Sequence, residues 1–180
     1  MPVHVVLLRG INLGSKRRVA MSDLRELLGE LGYADVRTHL QSGNAVFRTP
    51  LRSADEVGKQ VEKAIAARLG MTVDVVVRSA AQLAKVVAHD PFGGTASDPA
   101  RYMVVFLDRK PPAGWLAGID PDSYAPEQVA TLGREIYLWL PDGAHDSKLA
   151  RAVGGSKVGG TATMRNWNVV TKLADLAADL

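Results

Sequence analysis

Apolar positions along this chain switch between two spacings, and the switches mark out its elements. Val3 to Leu8 is a continuous apolar, β-branched run, the pattern of a buried strand. Leu24, Leu27, Leu28 and Leu31 then fall on one helical face, with Ser22 as the expected cap and Gly32 as the stop. Val36 to Leu40 and Ala45 to Phe47 read as two strands joined by the turn residues Gln41-Ser42-Gly43-Asn44, hence a hairpin. Ser53-Ala54-Asp55-Glu56 is a capping box opening a helix whose stripe is Val57, Val61, Ala64, Ile65 and Leu69, closed by Gly70. Thr72 to Arg78, with three successive valines, is a fourth strand. The order β-α-β-β-α-β is that of a ferredoxin-like α/β plait.

Beyond it, Ser79 starts a further helix that ends near His89-Asp90-Pro91. The Gly-, Pro- and Ser-rich stretch 90–99 is the expected domain boundary, dividing a first half, 1–90, from a second, 91–180. In the second half Tyr102 to Leu107 is a strand, a short helix is expected around Trp115, and residues 128–132 and 135–140 form a hairpin about Gly133. A short helix over 146–153 is followed by a loop rich in glycine (Gly154, Gly155, Gly159, Gly160), and Thr163 is expected to open the terminal helix. On that helix Trp167, Val170, Leu173, Ala174 and Ala177 make the core face, which casts Trp167 as a packing residue. The fold class is therefore α+β, two ferredoxin-like halves, the second a β-α-β-β-α-α version lacking its last strand. No sequence repeat relates the halves.

Composition narrows the function classes. Of 180 residues none is cysteine, which excludes disulfides, zinc–thiolate sites and cysteine nucleophiles and fits a reducing, cytoplasmic setting. No apolar run is long enough to span a bilayer, and the first residues read as a strand and not as a secretory signal. The formal net charge is +3; residues 1–90 hold 13 basic and 9 acidic side chains against 9 and 10 in the rest. The densest basic run, Lys16-Arg17-Arg18, reads as a solvated loop. Nucleic-acid binding is therefore expected to be weak and salt-sensitive at best. The third strand offers Phe47 as its aromatic, which fits poorly with base stacking on a plait.

Three polar segments remain as candidate chemistry. In a β-α-β-β-α-β unit the first and third strands are neighbours, so the loop leaving the first strand meets the hairpin turn at one end of the sheet. That places Arg9, Asn12 and Gly14 near Gln41, Ser42 and Asn44, although Gly10, Gly14 and the turn are also plain turn chemistry. The third segment, Arg165, Asn166 and Asn168, is expected at the mouth of the terminal helix, where unpaired N–H groups attract anions. The expectation is that all three converge on one cleft between the halves and hold a small polar or anionic ligand. The alternative is a non-catalytic interaction module for a nucleic-acid or protein partner. Gly10-xxx-Gly14-Ser15-Lys16 lacks the spacing of a phosphate loop. Ser42 lacks the Gly-x-Ser-x-Gly elbow, and no carboxylate lies in the three segments. His4, His39, His89 and His145 show no metal spacing, so neither metal nor cofactor is expected.

These segments together resemble the bacterial domain-of-unknown-function 1697 family. The likeness rests on Leu8-Arg9-Gly10-Ile11-Asn12-Leu13-Gly14, Met21-x-x-Leu24-Arg25, Val36-Arg37-Thr38, Gln41-Ser42-Gly43-Asn44, and Thr163-Met164-Arg165-Asn166-Trp167-Asn168 followed by Lys172-Leu173. Ser15, His39, Met164 and Val169 stand where the family more often has Gly, Tyr, Thr and Thr. The resemblance implies a two-part plait-like fold and a bacterial source. It implies no activity.

Overall fold

A strand with apolar residues on both faces must be covered on both, and β1 (Val3–Leu8) is: all but its first residue are buried. It lies inside a four-stranded antiparallel sheet ordered β2-β3-β1-β4, with β2 Ala34–Thr38, β3 Asn44–Arg48 and β4 Val75–Ser79. Helices α1 (Met21–Glu30) and α2 (Ala54–Leu69) close one face of the sheet. Val6, Leu8, Ala45, Phe47, Val75 and Val77 point into that core, against Leu24, Leu28, Val57, Val61 and Ile65. The opposite face carries Val5, Leu7, Val46, Val76 and Arg78, all buried as well. This is the computed structural model of the chain, and it describes residues 1–154 and 158–180.

Local signals account for the helix ends. Ser53 accepts from the Glu56 N–H at 3.3 Å and Gly70 closes α2 in the left-handed region, as the capping box implies. At α1 the expectation was wrong in detail. The helix starts at Met21, one residue before Ser22, and Ala20 precedes it without any side-chain cap. Two 3-10 turns, Leu116–Gly118 and Pro121–Tyr124, stand where a helix near Trp115 was expected.

The second sheet repeats the plan. Its order is β6-β7-β5-β8, again antiparallel throughout, from β5 Tyr102–Leu107, β6 Gln128–Leu132, β7 Glu135–Trp139 and β8 Ala162–Asn166. Strand β8 corrects the expectation of a plait lacking its last strand, because residues 162–166 extend the sheet and do not open the helix. The reason is visible in the residues. Thr163 and Arg165 are buried while Ala162, Met164 and Asn166 are half-buried, a period of two that the apolar helical stripe from Trp167 onward had masked. Helix α4 (Lys148–Val153) is capped by Ser147, and α5 covers Trp167–Ala178. The core on the α4 side gathers Val105, Leu107, Ile136, Leu138, Leu149 and Val153. Of the expected glycine loop, Gly155 lies outside the described residues.

Equivalent positions in the two sheets do equivalent work. Helix α3 (Ala80–His89) follows β4 as α5 follows β8. Arg78 sits opposite Val5 in the first sheet, and Arg165 opposite Val104 in the second. The next residue caps the helix in both: Ser79 Oγ accepts from Gln82 N–H at 3.2 Å, Asn166 Oδ1 from Val169 N–H at 3.0 Å. The halves therefore share an architecture that their sequences do not announce.

By packing, residues 1–87 with 171–180 form one unit and 88–170 another. The last ten residues thus group with the first sheet, where Leu173 and Ala177 are buried and Asp179 meets Arg37 at 3.9 Å.

His4 is the anomaly of the first unit. It is 1% exposed, and neither ring nitrogen has a hydrogen bond. Burial holds its pKa below the ordinary histidine value, opposed only by the nearby backbone of Arg52, which falls short of hydrogen-bond geometry. A folded pKa below the unfolded one means the unfolded chain binds the proton better. Stability is therefore full above about pH 6.5 and falls as pH drops through that value. Between about pH 7 and about pH 5 the melting temperature of the parent should fall, and His4→Leu should flatten that fall. An unchanged slope in the variant would assign the acid sensitivity to other groups.

Candidate functional site

Three backbone segments meet where β1 ends. Leu8 N–H donates to the Gly43 carbonyl at 2.8 Å, drawing in the β2–β3 turn. Arg9 N–H donates to the Asp74 carbonyl at 2.9 Å, drawing in the residue before β4. The β1–α1 loop then folds over on Asn12.

Asn12 is the hub of this end of the sheet. Its backbone is left-handed, φ 55°, a conformation that Asn tolerates better than most residues. Its Nδ2 donates to the carbonyls of Val19 (2.9 Å) and Gln41 (2.6 Å), and its Oδ1 accepts from the Val19 N–H at 2.9 Å. Both amide hydrogens are thereby used, so Asn12 ties the loop to the turn and retains one acceptor lone pair. Arg17 fastens the same loop by donating to the Thr72 carbonyl at 2.6 Å.

The turn is held from within. Asn44 is fully buried and donates to the His39 carbonyl and to Ser42 Oγ, each at 2.8 Å. Gln41 and Ser42 are exposed. Gly43, at φ 80°, lies so close to β1 that an added Cβ would sit 2.6 Å from Leu8 Cβ and 2.7 Å from Ile11 Cδ1.

Arg9 has a partner that its own segment does not supply. Its guanidinium pairs with Asp74 at 3.2 Å, both side chains being about half exposed. Such a surface pair is worth at most about 1 kcal/mol, so it orients the arginine without locking it. The pairing was foreseeable from topology, since β1 and β4 are antiparallel neighbours and the residue entering β4 must flank the one leaving β1.

Arg18 stands differently. It is exposed, and among the described residues it makes no ion pair or side-chain hydrogen bond. It lines a hollow of about 240 Å³ together with Asn12, Gly14 and Gln41. The sequence had Arg18 inside a basic run read as solvated loop, and nothing in the pattern distinguished it from Arg17.

The segment from the second unit has other duties. Arg165 is a strand residue, not a helix-mouth one. It is 8% exposed, donates to Thr163 Oγ1 and to the Met164 carbonyl at 2.8 Å each, and has its pKa lowered to about 10 by burial. Asn166 spends its carbonyl oxygen on the α5 cap. Asn168 is exposed in the first turn of α5. Trp167 is half-buried and stacks on Tyr102, ring centroids 4.4 Å apart and planes within 8°. Arg9, Asn12, Gln41, Ser42 and Asn44 belong to one unit, Arg165, Asn166 and Asn168 to the other.

A second hollow, about 380 Å³, lies in the second unit against Tyr124, Pro126, Glu127, Asp142, Asp146 and Lys148. Glu127 accepts from the Leu149 N–H and Ser147 caps α4, so two of its polar groups are occupied by the fold. Among the described residues no three His, Asp or Glu side chains converge as metal ligands, and no helix is long and apolar enough to cross a membrane.

Residues 1–137 match the family described as protein of unknown function, DUF1697. The chain belongs to that family. The matched stretch contains the loop cluster at the end of β1 and stops short of Arg165, Asn166 and Asn168. No curated protein matches the DUF1697 chain. Among solved structures it is similar to a conserved bacterial protein from Streptococcus pneumoniae, at 21% identity and a TM-score of 0.72, with 98% of each chain covered. Identity that low speaks for the fold alone, here a mixed α+β arrangement of two four-stranded antiparallel sheets.

Proposed function

We propose that the N-terminal unit binds a small anionic ligand in the loop cluster beyond β1, with Arg18 as its charge partner. The observation that carries the reading is the hollow of about 240 Å³ walled by Asn12, Gly14, Arg18 and Gln41. An exposed guanidinium without a carboxylate favours an incoming anion, and it can hold a phosphate or carboxylate through two parallel N–H donors. Asn12 fixes the wall by bonding to Gln41. Arg9 lies in the same cluster as a second cation, already shared with Asp74. Ser42 and Asn44 support the turn from behind. The lining offers one cation and two amides, which suits binding.

The same reading takes each half as a ferredoxin-like plait, supported by the strand orders and the antiparallel pairings. It takes the protein as cytoplasmic, supported by the complete lack of cysteine. A second reading, a docking surface for a macromolecular partner, draws support from Leu13 and Leu40, which are 76% and 56% exposed on the two loops that Asn12 joins.

Thermal shift with inorganic phosphate, citrate and a short single-stranded oligonucleotide separates the two. At about a hundredfold excess over Kd a ligand of the native state adds roughly 2.7 kcal/mol of apparent stability. Phosphate or citrate should raise the melting temperature, and Arg18→Ala should abolish the rise while the ligand-free protein melts as before. Stabilisation by the oligonucleotide alone would favour the docking surface. A rise that persists in Arg18→Ala would place anion binding elsewhere.

A further inference from the structure

A sheet that is not closed into a barrel leaves edge strands, whose unpaired N–H and C=O groups invite another strand. The two sheets treat the corresponding edge differently. In the first, β2 is blunted: its register against β3 slips between Ala34 and Arg37, and Asp35 within that slip has φ 55°. Its charges are also engaged, Asp35 with Arg48 at 3.1 Å and Arg37 with Asp179 at 3.9 Å. Bulge and charge are the usual protections of an edge.

Strand β6 has neither. Gln128-Val129-Ala130-Thr131-Leu132 is uncharged, free of proline, and in unbroken register with β7 over all five residues. Leu132 is 43% exposed, one of the few large apolar side chains left in solvent. Among the described residues β6 has no hydrogen bond beyond its pairing with β7. The adjacent turn Pro121–Tyr124 lies beside β6, and its Tyr124 packs with Val129 against the second core.

We propose that β6 is where two copies of this chain pair, strand against strand about a two-fold axis, joining two four-stranded sheets into one of eight. The inference is independent of the anion site in the other unit. A second copy fits this edge because the strand is complementary to itself. Antiparallel pairing centred on Ala130 sets Ala130 against Ala130, Val129 against Thr131 and Gln128 against Leu132. No like charges meet, and the smallest side chain stands on the axis, where directly opposed Cβ atoms approach to about 4.5–5.5 Å. Past the strand ends Glu127 of one copy faces Gly133 of the other, and the flanking charges are held within their own chain, Glu127 by the Leu149 N–H and Arg134 by the Asp108 carbonyl. A five-residue strand spans only about 17 Å, and the contact falls at the small end of specific interfaces. The association is therefore reversible and concentration-dependent.

Analytical ultracentrifugation tests it. From about 10 µM to about 1 mM the weight-average mass of the parent should climb from one chain toward two. Ala130→Lys sets two ammonium groups face to face on the axis, and Leu132→Glu, at an exposed position, puts a charge on the otherwise uncharged edge, opposite Gln128 of the partner copy. Both variants should remain single chains across the range, with parental circular dichroism. If Ala130→Lys fails to fold, Leu132→Glu alone decides. A parent that stays monomeric throughout, or variants that associate like it, would overturn the proposal.

Discussion

Replacing Gly43 by Ala is expected to cost about 3 kcal/mol or more, a very large effect for one added methyl group. Two penalties coincide. The backbone at φ 80° lies where an L side chain costs roughly 1–2 kcal/mol. The new Cβ would also stand 2.6 Å from Leu8 Cβ and 2.7 Å from Ile11 Cδ1. Leu8 and Ile11 are 1% and 3% exposed and packed in the first core, so neither can move aside cheaply. The turn must lift instead, which loosens the Leu8–Gly43 hydrogen bond and pulls on the Asn12–Gln41 bridge. Urea unfolding of Gly43→Ala should therefore give a much lower midpoint and any phosphate response should weaken with it. Gly14→Ala is the control: it has the same sign of φ but nothing within 4 Å of an added Cβ, so only the backbone penalty remains. Equal losses in the two variants would mean that the close approach to β1 contributes nothing.

How much of this could be read from the chain depends on which force sets each feature. The first sheet was legible because burial and periodicity agree there. Strands with runs of valine and leucine, helices with three-and-four spacing and a capping box all indicate the same arrangement, and its topology brings Asn12 to Gln41. The inward role of Asn12 was less legible. A polar residue on a glycine-rich loop looks like a ligand group, yet three of its hydrogen bonds are spent on Val19 and Gln41. Strand β8 was lost to a competing pattern: five residues of period two adjoin a long helical stripe, and the stronger signal was extended backward across them. Arg165 thereby moved from a supposed helix mouth into a sheet. The kinship of the halves was hidden for a related reason. Arg78-Ser79 and Arg165-Asn166 occupy the same places in sheet and cap, but hydroxyl and amide caps are interchangeable physically while looking unrelated in sequence. The asymmetry of the edges needed coordinates altogether, since a bulge at Asp35 is a matter of pairing and not of composition.

Tyr102→Ala is expected to cost about 3–5 kcal/mol, the range for emptying a large aromatic site in a core. Tyr102 is 2% exposed at the start of β5 and anchors the aromatic face of the second sheet. Its ring stacks on Trp167 at 4.4 Å and meets the edge of Phe92 at 5.8 Å. Truncating Tyr102 removes the ring on which the Trp167 indole stacks. The phenol also donates to Asp90 Oδ1 at 3.0 Å. Burial, and then that bond, push the Tyr102 pKa well above the usual tyrosine range, so the phenol oxygen keeps its proton and remains a donor at ordinary pH. Tyr102→Phe isolates the hydroxyl: it keeps the stack and should lose only about 1.5–3 kcal/mol, the range for a hydrogen bond to a charged group. A double-mutant cycle of Tyr102→Ala with Trp167→Ala should then return a coupling of roughly 0.5–1.5 kcal/mol for the stacked pair. Additive losses would show that the two rings are held independently, each by its own sheet or helix. In that case the alignment within 8° would reflect two separate constraints and not a mutual attraction.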